Sequence, residues 1–357
     1  MRRSAALQHI RHLSSLGLPA RVAIPAMVDA LADLVSARTR NFIWLNAHGM
    51  PCDMYEREPI ASALNTFFEQ MPILVKSHEP SIDKMLRVPV DYGAGLMMMR
   101  LPNWENSVMH NEVFRPYGIG YHLDFPIRDG AQARGVLTIN REPGSCEFTS
   151  HQIEDVLSLR KFFLHAMSAP EVLLEAATAS DQVSLVVLAG DGTVLQCEPG
   201  ASQLFSQLSG QTSNSFRMLT RQDRAPAELQ DMANKLAALQ SGADAAPPMK
   251  DITTRWGRIR IRAHSRDAQG NCYLTVQQLL SKTIHRMTRL AQSDLSPRER
   301  RIALAMCSSG AGDDVAQICG VTAASYRQYA KRIYARLEVE GRDGLRQHLD
   351  DPLAAAI

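Results

Sequence analysis

Nothing in this 357-residue chain stays apolar for long. The opening stretch, MRRSAALQHIRHLSSLGLPA, begins with two arginines, but Gln8, His9, Arg11 and His12 interrupt any continuous apolar core of an export leader. No other segment approaches the ~18–20 apolar residues that a membrane span needs. A soluble, cytoplasmic protein with no membrane partner is expected. The chain also lacks an excess of one charge: 39 Lys and Arg stand against 37 Asp and Glu. Any case for a polyanionic partner must therefore rest on local charge.

Cysteine is sparse and scattered. The six (52, 146, 197, 272, 307 and 319) form no C-x-x-C and have no histidine at metal-ligand spacing. Free thiols in a reducing compartment are expected, with no metal. G-x-S-x-G, H-E-x-x-H, the phosphate-binding P-loop and a G-x-G-x-x-G between strand and helix are all missing. No catalytic residue is assigned and no enzyme is expected.

The length suggests two or three domains. Ile24, Met27, Leu31 and Leu34 recur at helical spacing, strand-like NFIWLNA follows, and a helix is expected around IASALNTFFEQM. The β-rich runs at 117–127 and 133–140 flank RDGAQ, an Asp-Gly hairpin signal. FTSHQIEDVLSLRKFFLHAM (148–167) predicts an amphipathic helix capped by Thr149, with Ile153, Val156, Leu157 and Phe163 inward. Residues 20–170 thus form one antiparallel α+β domain, preceded by a helical extension over 1–19.

A second hairpin surrounds Gly190-Asp191-Gly192, and a charged helix is expected over 226–240. Strands return in GRIRIRAHS and CYLTVQQLL, where Ile259, Ile261 and Ala263 alternate with Arg258, Arg260 and Arg262. This gives a second small antiparallel domain over 175–280. Residues 281–294 read as a polar, partly helical connector.

From Leu295 the pattern is all-helical. In SPRE, Ser296 caps, Pro297 suits the first helical position and Glu299 completes a capping box. A short helix, DVAQIC, ends at Gly320, and Thr322 caps a third helix. Two short helices around a Gly-containing turn make a helix-turn-helix. Tyr326, Ala330, Ile333, Tyr334 and Leu337 share one face of the third helix; Arg327, Gln328 and Lys331 lie on another. From Ser325 to Leu337 there is no acidic residue. A helix in a major groove is flanked by phosphates, which repel carboxylates and release counterions to Lys and Arg. Arg and Gln can also read base edges bidentately. The competing interpretation is a merely solvated basic face.

LSPRE, VAQICGVT, SYRQY and IYARL, in this order and without a gap over Leu295 to Arg346, resemble the LuxR-type (GerE) DNA-binding domain of bacterial transcription regulators. The resemblance implies DNA contact by Arg327, by Gln328 and Lys331 on the same groove-facing helix, and by Thr322 at its start. Ser325 and Arg332 complete that set. RDGLRQHL (342–349) corresponds to the helix that commonly pairs two subunits. Four positions depart from the family pattern: Asp313 replaces a lysine, Tyr326 and Tyr329 replace Val and His, and Glu338 replaces a glycine. If Glu338 is held at positive φ, the cost is on the order of 1 kcal/mol.

Residues 111–159 resemble a GAF-like sensory domain, and 183–205 the start of a PAS-like domain. The implied architecture is multidomain α+β: GAF-like and PAS-like antiparallel-sheet sensors followed by an all-α helix-turn-helix domain over 295–357. The implied partners are double-stranded DNA, a second copy in a homodimer, RNA polymerase and a small-molecule effector. Trp44, Tyr55, Met97, Met99, Tyr121 and Phe125 are candidates to line an effector cavity, although such side chains also fill plain cores. A regulator that titrates a partner protein without reading DNA is the alternative that Asp313 and Glu338 keep open.

Overall fold

The computed structural model describes residues 3–74, 81–88, 90–169, 177–209, 217–254, 256–308 and 312–350. It is a mixed α+β protein with two antiparallel sheets and a helical C-terminal stretch.

Two helices, α1 (Arg3–Ser14) and α2 (Ala20–Ala30), precede the first sheet. The Arg3 guanidinium makes a two-pronged bond to Asp155 at 2.6 and 2.5 Å. Strands β1 (Thr39–Leu45) and β2 (Pro51–Glu56) come next, then α3 (Ala61–Leu74), α4 (Ile82–Arg87) and α5 (Ala94–Met99). The expected hairpin forms as β3 (Tyr121–Asp129) and β4 (Gln132–Arg141), and the strand order is β2-β1-β4-β3. Helix α6 (Ser150–Met167) starts with the full capping box of Thr149 and Gln152. Val156 and Phe163 are buried as expected, Ile153 and Leu157 are half-buried, and Leu159 is also fully buried.

The second sheet contains β5 (Ala177–Leu188) and β6 (Val194–Cys197), followed by α7 (Pro199–Ser209) and α8 (Ala227–Gln240). It is completed by β7 (Met249–Thr254), β8 (Gly257–Arg266) and β9 (Cys272–Ser281), in the order β6-β5-β9-β8-β7. Ile259, Ile261 and Ala263 are buried and the intervening arginines are not, as the alternation requires.

The helical part of the expected connector is well defined. It is a regular helix, α9 (Lys282–Gln292), which buries Ile284, Met287, Leu290 and Ala291. Next come α10 (Pro297–Ser308), α11 (Gly312–Cys319), α12 (Ala323–Leu337) and α13 (Gly341–Asp350). Arg286 on α9 grips Asp350 on α13 through two bonds of 2.7 and 2.8 Å. One apolar core runs from α1, α2 and α6, across one face of the first sheet and Trp256, into α9, α10 and α13. The opposite face of the first sheet builds a separate cluster with α3, α4 and α5.

Candidate functional site

Two features combine side chains in ways that packing alone does not require. The first is the outer face of α12. The Thr322 hydroxyl accepts the Ser325 N–H at 3.2 Å and donates to Ser325 Oγ at 3.0 Å, setting the first turn. Ala330 and Ile333 are buried beneath the helix, and Tyr326, Tyr334 and Leu337 pack against the same core. Gly312 makes room for Tyr326: a Cβ there would lie 2.9 Å from its ring.

Opposite that seam, Arg327, Gln328, Lys331 and Arg332 are exposed, and Ser325 is half-buried. Arg327 and Lys331 make no ion pair among the described residues. Arg336 differs, since its guanidinium bonds to Glu299 at 2.8 Å. Glu299 meanwhile closes the capping box with Ser296 at 2.8 and 3.3 Å. Burial pushes its carboxyl up, but those bonds together with Arg336 outweigh it and hold the group below the usual glutamate value. Arg298, which the sequence pattern assigned only to a helix start, joins the exposed face. Its guanidinium and that of Arg332 sit 5.7 and 5.6 Å from the Tyr329 ring centre. The described part of this face presents Arg298, Arg327, Lys331 and Arg332 with Tyr329 between two of them.

Asp313 and Asp314 are exposed at the first turn of α11, where unpaired backbone N–H groups favour negative charge. Glu338 ends α12 in the left-handed conformation, φ +54° and ψ +41°.

The second feature is a cavity of about 100 Å³ between the first sheet and the helices that cover it. Strand register shows how its wall is made. One row pairs His122, Asn140 and Thr39; the next pairs Asp124, Thr138, Asn41 and Glu56; a third pairs Pro126, Val136, Ile43 and Met54. All seven polar members of the first two rows are buried. His122 Nδ1 and Asn140 Oδ1 are 2.7 Å apart, and the Asn140 amide donates to Thr39 Oγ1 at 2.8 Å. The Thr138 hydroxyl donates to Asn41 Oδ1. Asp124 Oδ1 accepts the Gly95 N–H at 2.7 Å. A Cβ on Gly95 would come within 2.5 Å of the His122 ring, so only glycine lets α5 approach this closely. Leu64, Phe67, Met85, Trp104, Met109, Val113 and Phe114 supply an apolar roof.

Glu56 is the one carboxyl among the described residues that line the cavity. It is 3% exposed, and the hydroxyls of Tyr117 and Thr39 lie beside it without closing a well-aligned hydrogen bond. Burial raises its pKa to about 8, with the nearby Tyr117 and Thr39 hydroxyls opposing. The Tyr117 hydroxyl itself accepts the Ile60 N–H at 2.8 Å.

None of the six residues proposed from sequence to line an effector cavity lines this one. Trp44, Tyr55, Tyr121 and Phe125 have the opposite strand parity. Trp44 packs edge-on against Phe42 and Trp256; the Tyr55 hydroxyl donates to Asp29 at 3.0 Å; Phe125 is stacked near Tyr92. Met97 is 54% exposed, and Met99 packs at the edge of the cluster behind the cavity. With a sheet covered on both sides, period-two polarity separates an apolar core from a polar-lined cavity, not a core from solvent. The available signal was the in-phase spacing Thr39-x-Asn41 and His122-x-Asp124.

No family model matches the chain, and neither does any curated protein. Among the described residues no cluster could hold a metal ion, and no helix is long and apolar enough to cross a membrane.

Proposed function

We propose that the chain is a bacterial DNA-binding transcription regulator of the LuxR type, with GAF-like and PAS-like sensory regions preceding a helix-turn-helix built from α11 and α12. One observation carries the proposal: Arg327, Gln328 and Lys331 stand together, exposed and uncovered by any described element, on a helix whose other face is buried. In that pose α12 enters a major groove, where phosphate contacts supply affinity and a few base contacts supply specificity. Two copies would set two such helices about one turn of DNA, ~34 Å, apart. Leu345 and Leu349 of α13 are buried within their own chain, so pairing through α13 would use its outward face, where Gly341, Asp343 and Gln347 are exposed.

The continuous core from α1 and the first sheet to α9, α10 and α13 supports a mechanical role for the sensory part. A shift at the sheet would reach the DNA-reading helices through packed side chains. A second reading draws on Asp313, whose exposed carboxylate would repel phosphate: titration of a partner protein without DNA contact. Genomic pull-down with the Arg327→Ala, Lys331→Ala double variant tests the first. Lost promoter occupancy with retained fold is the expected result; unchanged occupancy contradicts it.

A further inference from the structure

From the cavity under the first sheet we infer a binding site for a small organic amine, its ammonium group seated on Glu56 and its apolar part against Trp104 and Phe114. The inference deepens the proposed function by naming an effector class, but binding itself does not depend on DNA recognition.

A buried carboxyl held only loosely by the Tyr117 and Thr39 hydroxyls is costly to ionise unless a cation satisfies it. The neutral polar groups on this wall divide hydrogen bonds among themselves. His122, Asn140 and Thr39 form one chain, and Thr138 bonds to Asn41. Asp124 Oδ2 is also without a hydrogen bond, but Asp124 does not line the cavity, whereas Glu56 does. No Lys or Arg is among the described residues lining the cavity, so an anionic ligand would find no counter-charge. A cation finds a carboxylate at one end and aromatic faces at the other. The rings of Trp104 and Phe114 meet edge-to-face at 5.0 Å, giving a stiff apolar wall suited to a short hydrocarbon body or to cation–π contact.

Size narrows the class. A cavity of roughly 150 Å³ accommodates benzene, so about 100 Å³ suits a compact amine of roughly five non-hydrogen atoms. Thr39, Glu56 and Tyr117 also line a surface pocket of about 210 Å³ on the other side of this partition. The carboxyl therefore stands between the cavity and a route to solvent. Charged or titratable groups around it are Tyr117, Asp29, Arg38, Arg40, Arg57 and Glu58 on the partition side and His122 across the wall. Ammonium binding would ionise Glu56 and expel its proton.

The test is NMR or calorimetric titration of the full chain near neutral pH with n-butylamine, n-butanol and butyrate. Butylamine is expected to bind at least tenfold more tightly than butanol, with butyrate weakest. In Glu56→Gln that preference should vanish while weak butanol binding persists. In Leu64→Trp, which fills the cavity, all three should fail to bind. Far-ultraviolet circular dichroism reports whether each variant is folded, and the equally uncharged Glu56→Met replaces Glu56→Gln if the latter is not. Equal affinity for amine and alcohol, or an amine preference that survives Glu56→Gln, overturns the inference. Either result leaves DNA binding by α12 untouched, and that is measured separately.

Discussion

The indoles of Trp44 and Trp256 meet edge-to-face, 4.7 Å between ring centres, with the Arg21 guanidinium 5.6 and 5.8 Å from the two rings. Trp44 lies on the first sheet and Trp256 at the turn between β7 and β8 of the second. Both are nearly fully buried. This contact and the Asn65 side chain, which bonds to both the N–H and the carbonyl of Met218 at 2.7 and 2.9 Å, join the two sheets.

Trp256→Ala should cost about 3–5 kcal/mol of stability, and Trp44→Ala a similar amount. In a double-mutant cycle by urea unfolding the pair should couple by roughly 0.5–1.5 kcal/mol beyond its burial. Strict additivity would mean that the rings fill space without interacting.

Glu56 should make stability depend on pH in an uncommon direction. Its pKa is raised from 4.5 to about 8 on folding. Below about 4.5 the acid is neutral in both states and its contribution is fully present. Between 4.5 and about 8 the folded chain holds a proton that the unfolded chain has released, so stability falls as pH rises. The slope attributable to this group is at most ~1.4 kcal/mol per pH unit. Denaturant melts from pH 5 to 8 should lose that component in Glu56→Gln. An identical pH profile in the variant would place the unfavourable charge elsewhere.

Glu338 occupies a left-handed position at the end of α12, where the backbone favours glycine. Glu338→Gly should therefore stabilise the protein by on the order of 1 kcal/mol, read as a higher midpoint in thermal unfolding. A lower midpoint would show that the Glu338 side chain offsets its backbone strain.

Local signals carried much of this structure. Thr149 and Gln152, and Ser296 and Glu299, build the capping boxes that their spacing implies, and the Asp129-Gly130 turn closes its hairpin. Glu338 adopts positive φ where a glycine was expected to be needed. What escaped was non-local. MKDITT drew no strand assignment from its sequence, yet it pairs as edge strand β7 because an edge needs only one partner. PCDMYE likewise drew no strand assignment and forms β2. The helix α9 was partly legible in the connector, but its burial of Ile284, Met287, Leu290 and Ala291 against the neighbouring helices was not. Glu56 gave no sign of its role, because only the register of β2 against β1 turns it inward.

The most direct measurement of the central claim is the salt dependence of binding to a mixed-sequence DNA duplex several turns long. Affinity should fall steeply as salt rises, and Arg327→Ala with Lys331→Ala should flatten the log–log slope by roughly 1 per lost phosphate contact. A salt-independent affinity, no binding, or the same slope in the double variant would contradict a DNA-reading role for the basic face of α12.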